Sequence, residues 1–366
     1  MLHSKKFFSP TSKIITQAME LEKKIGQLLI LGFKGETIDQ HSPIVADIKK
    51  RNLGGVILFD RLLAQKKDRN NIVSPAQVKA LTTSLQQYSS TPLLIAIDQE
   101  GGMVRRLKSR TGFPETTSAG NLGKKDDATH TAIHAACTAR TLKLLGINFN
   151  LAPVVDLNVF SQNPVIGKLQ RSFSADPERV VRHAAIWIKE HRKQNIFSCL
   201  KHFPGHGSSQ TDSHLGVTDI SRSWQQKELI PYKNLIQKNL ADSVMLGHLF
   251  HEGFDRESPT SLSSAVVETL LRKKLGFQGP VLTDDLQMKA ITEMYGFEES
   301  ICLALAAGVD MIIIGNNLEY DPQILKRIIP AVLTAVKNNK IPEDRIHTAW
   351  ERVKKMKKQL VAGSKS

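Results

Sequence analysis

The chain has 366 residues, of which 41% are hydrophobic and 23% charged, so it is long enough for one large barrel or two ordinary domains. This apolar fraction supports a large core and excludes the disordered and fibrous classes. No apolar run reaches the roughly 18 residues that a transmembrane helix needs. The formal net charge is +15, but the basic residues are scattered and accompany no nucleic-acid-binding motif. We therefore expect neither nucleic acid nor membrane insertion, and a solvated basic surface is favoured over one that attracts an anionic partner.

The N-terminal segment is basic and mixed, and it lacks the apolar core of a signal peptide. We expect residues 1–20 to be an N-terminal extension of a cytoplasmic protein, with a removed signal peptide and a periplasmic location as the alternative. The cysteines Cys137, Cys199 and Cys302 are too few and too widely spaced for a disulfide framework or a zinc ribbon. Buried free thiols are therefore expected.

Short apolar runs alternate with longer helical stretches along the chain, and eight such runs follow one another. They are Gln27–Phe33, Gly55–Phe59, Leu93–Asp98, Phe149–Asp156, Phe197–Phe203, Ser243–Leu249, Pro280–Asp284 and Met311–Gly315. Continuous apolar runs are typical of strands buried on both faces, as in a parallel sheet covered by helices. The crossover helices are clearest at Ala128–Leu145, Pro177–Gln194 and Phe297–Ala307, and glycines at positions 146, 276 and 308 mark helix ends.

Eight such units predict an α/β fold, namely a TIM-like (β/α)8 barrel. No linker is evident, so we expect a single catalytic domain over residues 21–366. An open doubly wound sheet is the alternative.

Ionisable side chains end five successive predicted strands, from the third to the seventh. They are Asp98 with Glu100, Asp156, Lys201 with His202, His248, and Asp284 with Asp285. Because the active site of such a barrel lies at the carboxyl ends of its strands, these residues predict a polar pocket ringed by carboxylates and bases.

A glycine-rich loop, residues 201–216, follows the fifth strand and carries His202, His206, Asp212 and His214. Metal binding is one interpretation, but Pro204 and Gly205 prevent the helix that would bring a His-x3-His pair onto one face. Acid/base chemistry is the favoured interpretation, because a carboxylate two residues from an imidazole can orient and charge it.

Asp284 is the candidate nucleophile, because it ends a buried strand and is therefore held rigidly. A carboxylate below a proton donor is the arrangement of a retaining glycosidase. Neighbouring side chains on a strand point to opposite faces, so only one of Asp284 and Asp285 faces the pocket. The residues alone favour Asp284 and leave Asp285 as the alternative.

Several motifs together resemble the bacterial β-N-acetylglucosaminidases of glycoside hydrolase family 3, over about residues 21–355. The most specific is Lys-His-Phe-Pro-Gly-His-Gly at 201–207 followed by Asp-Ser-His at 212–214. The others are Ala96–Gly102, Ala152–Asp156, Asn163–Gly167, Thr283–Leu286 and Ala307–Met311. The spacing from Gly167 to Arg171 is about two residues longer than is usual in that family.

The resemblance implies a retaining exo-β-N-acetylglucosaminidase that acts on peptidoglycan fragments (muropeptides) during cell-wall recycling. Asp284 corresponds to the nucleophile, His214 to the acid/base and Asp212 to its carboxylate partner. The residues that correspond to sugar-hydroxyl ligands are Asp98, Arg106, Arg171, Lys201 and His202. We expect a small carbohydrate substrate, a monomer, no metal and no cofactor. The alternatives are a family 3 phosphorylase and a β-glucosidase or xylosidase.

Overall fold

The structure is a computed structural model, of which residues 10–212 and 216–362 are described. Eight parallel strands in this part of the chain form one sheet. They are β1 (Leu29–Gly32), β2 (Gly55–Ile57), β3 (Leu94–Ile97), β4 (Phe149–Asn150), β5 (Phe197–Phe203), β6 (Ser243–Leu246), β7 (Val281–Thr283) and β8 (Ile312–Ile314). Each lies within one of the eight apolar runs.

The sheet runs in the order β7-β6-β5-β4-β3-β2-β1-β8, so sequential strands are neighbours and β1 pairs with β8. In that pair Leu29 is in register with Ile312. A parallel bridge between Leu282 and Met311 joins the two remaining edges, β7 and β8. The predicted (β/α)8 barrel is therefore confirmed.

The strand bounds differ most from the prediction at β4. The apolar run continues to Asp156, but the strand ends at Asn150, and only Val154 forms a further bridge, with Lys201. Pro153 lies in between, and a proline has no N–H to donate to a neighbouring strand. The carboxyl end of β4 is therefore an extended loop that carries Asp156 toward β5.

The helices cover the outside of the barrel. They are α1 (Pro10–Gln27), α2 (Pro43–Arg51), α3 (Pro75–Tyr88), α4 (Ala119–Lys125), α5 (Ala128–Leu144), α6 (Pro177–Lys193), α7 (Ile230–Gln237), α8 (Lys289–Thr292), α9 (Phe297–Ala307), α10 (Leu325–Lys337) and α11 (Glu343–Ala362), with a π-helical segment at Ala265–Lys274. The predicted helix ends are confirmed, since Gly146, Gly276 and Gly308 have φ of +73°, +77° and +111° shortly before the next strand. In the described ranges, none of these helices combines the length and apolar character needed to cross a membrane.

Helix α11 crosses the amino end of the barrel and closes it. Its Lys357 donates to the carbonyl of Gly54, which precedes β2, at 2.6 Å. Its Arg352 pairs with Asp310, which precedes β8, at 3.0 Å. Helix α1 packs against α10 and α11. The domain boundary predicted between residues 20 and 21 lies within α1 and stays a prediction. Helix α11 thus covers the amino end of the barrel, opposite the strand ends at which the predicted site residues lie.

Candidate active site

A cavity of about 160 Å³ lies at the carboxyl ends of the strands. Its floor is apolar, its walls carry Asp98, Arg106, Asp284 and Asp285, and Arg61 stands at its rim. The floor residues are Ile57, Leu151, Met245 and Ile313. A larger cavity of about 590 Å³ lies at the amino end beneath α11, but no predicted site residue lines it. Because catalytic groups of such barrels project from the carboxyl ends of the strands, we place the candidate site in the smaller cavity.

The two adjacent aspartates that follow β7 have different environments. Asp284 receives a hydrogen bond at Oδ1 from the backbone N–H of Asp285 at 2.8 Å. The Oδ1 atom of Asp285 accepts from the backbone N–H groups of Gly315 at 2.9 Å and Gln287 at 3.1 Å. Asp285 thus ties the end of β7 to the end of β8. The prediction that Asp284 is the nucleophile stays a prediction, and this arrangement gives Asp285 a supporting role.

Four of the predicted sugar-binding residues belong to one network of ion pairs with Glu100. Asp98 pairs with Arg106 at 3.1 Å and with Lys201 at 2.9 Å. Lys201 also contacts Glu100 at 2.7 Å. Glu100 in turn accepts two hydrogen bonds from Arg171, each of 2.8 Å. The longer spacing before Arg171 therefore does not keep it from the strand ends.

The charges of this network keep its members ionised. Burial alone would raise the pKa of Asp98, but Lys201 and Arg106 hold it well below the usual range. Burial likewise opposes ionisation of Glu100, yet Arg171 and Lys201 lower its pKa to about 2. Burial would lower the pKa of Arg171 and of Lys201, but the carboxylates of Glu100 and Asp98 raise both above their usual values. At neutral pH the site is therefore a fixed array of alternating charges.

His202 connects this network to Asp156, which follows β4. Its Nδ1 lies 2.7 Å from Asp156 Oδ2, and its Nε2 lies 3.2 Å from Nη2 of Arg171. A guanidinium has only donors, so Nε2 accepts and Nδ1 carries the proton given to Asp156. Both ring nitrogens are thus engaged within the protein, and a contact from His202 to a sugar hydroxyl stays a prediction.

The predicted acid/base pair is described only in part. Asp212 is half-buried and follows Thr211, whose hydroxyl bonds that of Thr218 at 3.2 Å. His214 lies outside the described residues, so its role and its pairing with Asp212 stay predictions. Among the described residues, no group of three or more His, Cys, Asp or Glu side chains is arranged to hold a metal ion.

Two carboxylates at strand ends, Glu100 and Asp156, hold predicted sugar-binding residues in place, although the sequence assigned them no role. Glu100 bridges Arg171 and Lys201, and Asp156 accepts from the backbone and the ring of His202. Both are buried carboxylates without assigned roles in the prediction. The sequence indicated that they lie at strand ends. It did not indicate which cations they contact, because those contacts form only when the barrel closes. His248, the other unassigned strand-end residue, bonds Ser261 and the carbonyl of Asp285.

A (β/α)8 barrel with carboxylates and paired cations around a cavity at its carboxyl end has the architecture of a glycoside hydrolase. The model of the family described as "Glycosyl hydrolase family 3 N terminal domain" matches residues 20–356. The chain therefore belongs to glycoside hydrolase family 3, and the predicted family and enzyme class are confirmed.

Individual relatives agree with this assignment. A protein named Beta-hexosaminidase from Tolumonas auensis is 35% identical over 294 residues, which cover 79% of this chain and 83% of that protein. Beta-hexosaminidase A from Pseudoalteromonas piscicida is 30% identical over 342 residues, which cover 87% of this chain and 55% of that protein. A solved glycoside hydrolase family 3 β-N-acetylglucosaminidase from Paenibacillus sp. str. FPU-7 has a TM-score of 0.84 and 34% identity, covering 93% of this chain and 62% of that chain. This chain thus spans less than two thirds of the last two proteins.

Proposed function

We propose that the protein is a retaining exo-β-N-acetylglucosaminidase, which removes N-acetylglucosamine from the non-reducing ends of β-linked glycans. Membership of glycoside hydrolase family 3 and the names of the relatives support this activity. The observation that carries the proposal is that Asp284 lines the same cavity as Asp98 and Arg106. A nucleophile and hydroxyl-binding groups then face one bound sugar.

Binding of the sugar uses the charge network as a prearranged set of hydrogen-bonding groups. Asp98 is ionised, so its oxygens accept hydrogen bonds from sugar hydroxyls, and Arg106 donates beside it. Lys201, Arg171 and His202 complete the set that the family resemblance implies. Because these groups already pair with one another, little reorganisation is needed when the sugar enters.

The proposed chemistry has two steps. An oxygen of Asp284 attacks the anomeric carbon, the bond to the leaving oxygen breaks, and the sugar becomes an ester of Asp284. Protonated His214, paired with Asp212, gives its proton to that leaving oxygen. In the second step water attacks the anomeric carbon, His214 takes a proton from this water, and the ester bond breaks. The sugar leaves with its β-configuration, and both groups return to their starting states.

The proposed natural substrates are peptidoglycan fragments, which carry carboxylates on the leaving side. Arg61 supports this choice, because it lines the cavity and its side chain is 48% exposed. Its nearest carboxylate, Asp60, is 3.9 Å away and is held more closely by Lys108 at 2.5 Å. The Arg61 guanidinium is therefore able to meet an anionic leaving group at the rim.

The activity is tested with nitrophenyl substrates that carry N-acetylglucosamine, glucose or xylose. We expect kcat/KM for the N-acetylglucosaminide to exceed the other two by at least about 100-fold, as the names of the relatives imply. Preference for the glucoside or xyloside would overturn the proposed substrate.

Product analysis in phosphate buffer should give free sugar, whereas sugar 1-phosphate would make the protein a phosphorylase. A chelator should leave the rate unchanged.

The leaving side is tested with Arg61→Gln on two disaccharides, chitobiose and N-acetylglucosaminyl-N-acetylmuramic acid. The variant should lose about five-fold in kcat/KM on the acidic disaccharide alone, as expected for one partly exposed charge pair. Arg69→Gln is the matched control, because Arg69 lies in the same loop but pairs with Glu36 and does not line the cavity. Equal losses on both disaccharides would remove the argument for an acidic substrate.

We further infer that the protein is a monomer and that it acts in the cytoplasm. Light scattering at micromolar concentration should give the mass of one chain, and cell fractionation should recover the activity with the cytoplasmic fraction. A dimer mass or recovery from the periplasm would contradict these two points without affecting the proposed activity.

A further inference from the structure

The loop that leads from β5 to Asp212 begins with a buried turn, residues 205–209. All five residues of this turn are buried, whereas Gln210 and Thr211 directly after it are exposed. The chain therefore leaves the protein interior and reaches the surface after Ser209. Asp212 is three residues further on and thus within about 10 Å of this point. The direction of the turn decides where the segment with Asp212 goes.

Residues after β4 hold one side of the turn. Asp156 Oδ1 accepts from the backbone N–H of His206 at 2.9 Å. Asn163 Nδ2 donates to the carbonyls of His206 at 2.7 Å and Gly207 at 3.2 Å. Asp156 also holds His202, so its replacement would disturb the sugar-binding network as well.

Glu228, just before α7, holds the opposite side. Its side chain is buried, and its Oε2 accepts from the backbone N–H of Gly207 at 3.1 Å. Its Oε1 accepts from the backbone N–H of Gln225, also at 3.1 Å. Both carboxylate oxygens thus face N–H donors, which a glutamine could satisfy only in part, because its NH2 group would meet an N–H.

The backbone of the turn is shaped to fit Glu228. Gly205 has φ of +125°, which side-chain-bearing residues rarely adopt, and a Cβ there would lie 2.7 Å from the Cβ of Glu228. Beside it, Trp224 Nε1 donates to the carbonyl of Pro204 at 3.1 Å. A side chain at position 205 would therefore collide with Glu228, so the turn and the segment before α7 fit together only with glycine there.

We propose that Glu228 is a positioning residue of the reaction, which fixes through Gly207 the path of the loop that carries Asp212. The inference rests on the proposed function, in which Asp212 and His214 transfer the proton. Within the described ranges, no hydrogen bond or ion pair joins Glu228 to the sugar-binding network, and Glu228 does not line the cavity. Its loss should therefore act on proton transfer and leave sugar binding in place.

The test compares Glu228→Gln with the unaltered protein on two substrates that differ in their leaving groups. Chitobiose needs a proton on its leaving oxygen, whereas a 2,4-dinitrophenyl N-acetylglucosaminide does not. We expect kcat/KM to fall about 10-fold for chitobiose and less than about 3-fold for the dinitrophenyl substrate, with KM for the latter unchanged. In Glu228→Ala, which loses both acceptors, the difference between the two substrates should be larger than in Glu228→Gln, because the glutamine keeps one acceptor oxygen.

Asp242→Asn is the matched control, because Asp242 is another largely buried carboxylate that accepts from a backbone N–H, that of Ser198, at 3.0 Å, far from the cavity. It should lower the thermal midpoint without any difference between the two substrates. Equal losses on both substrates in Glu228→Gln would overturn the inference and make Glu228 structural only.

His214→Ala on the same substrate pair separates the inference from the proposed function. If His214→Ala discriminates between the substrates and Glu228→Gln does not, the inference alone fails. If His214→Ala does not discriminate, the proposed function itself fails. Should Glu228→Gln not fold, Glu228→Asp keeps the charge but withdraws the carboxylate from the N–H of Gly207, and equal losses on both substrates would then overturn the inference.

Discussion

Both ends of the barrel contain ion pairs with little exposure to water, but the carboxylate is fully buried at the amino end and partly exposed at the carboxyl end. At the amino end Asp310 has no exposed surface and pairs with Arg272 and Arg345 at 2.5 Å each and with Arg352 at 3.0 Å. At the carboxyl end the Asp98 side chain is 16% exposed and lines the cavity. Pairing offsets the desolvation of the charges at both ends. Because only the carboxyl end leaves its carboxylate accessible, the same chemistry holds the fold at one end and prepares a binding site at the other.

The strongest test at the carboxyl end is Asp284→Asn. We expect kcat/KM to fall at least about 1,000-fold with the thermal midpoint almost unchanged, since an amide cannot form the covalent intermediate. Asp285→Asn is the comparison, because its Oδ1 can still accept from Gly315 and Gln287. If Asp285→Asn is the more damaging change, the roles of the two aspartates are reversed.

At the amino end, Asp310→Asn should deprive one buried arginine, Arg272, and two partly buried ones, Arg345 and Arg352, of the carboxylate that they share. We expect a loss of about 3–5 kcal/mol in the free energy of unfolding, measured by urea titration. The folded fraction should keep its normal kcat/KM. Asp126→Asn is the control, because Asp126 also meets three cationic or titratable partners but is 30% exposed, and its loss of stability should be clearly smaller than that of Asp310→Asn. Equal losses would contradict the dependence on burial.

Asp98→Asn should give the opposite pattern to Asp310→Asn. We expect kcat/KM to fall about 100-fold, because the neutral amide is a weaker acceptor and presents an N–H group to Lys201 and Arg106. The free energy of unfolding should fall less than in Asp310→Asn, since Asp98 keeps access to water. A variant that is as unstable as Asp310→Asn yet fully active when folded would break the contrast between the two ends.

Lys357 provides a smaller test at the amino end, because its amine donates to two neutral oxygens, of Gln27 at 2.8 Å and Gly54 at 2.6 Å. Burial lowers its pKa from 10.5 to about 7. Between these values the unfolded chain binds the proton and the folded chain does not, so the free energy of unfolding should rise with pH. The slope contributed by this one group is at most about 1.4 kcal/mol per pH unit.

Lys357→Met isolates that contribution, because every other titrating group is common to both proteins. Urea unfolding at pH 7, 8, 9 and 10 should show the unaltered protein gaining stability relative to the variant. A difference between the two proteins that does not change with pH would show that Lys357 titrates alike in the folded and unfolded chains.

The strands were predicted well where their burial is uniform. The run Phe197–Phe203 forms β5 to the residue, because all seven of its residues are buried. The run Phe149–Asp156 was predicted too long, because a buried extended loop has the same apolar pattern as a strand. Apolar periodicity reports burial, and hydrogen bonding to a neighbour is a separate condition that Pro153 does not meet.

The amino-acid sequence by itself determined the barrel, the family and the polar residues at the strand ends, because each of these depends on local patterns and short motifs. Only the tertiary structure decided which charges meet. Lys201 and Asp98 are 103 residues apart in the chain, and Arg171 and Glu100 are 71 apart. Likewise, no local sequence pattern identifies Glu228 as the partner of Gly207. Such pairs form because closing the barrel brings separate strand ends to one rim, and low exposure to water then makes each charge depend on the neighbour it finds there.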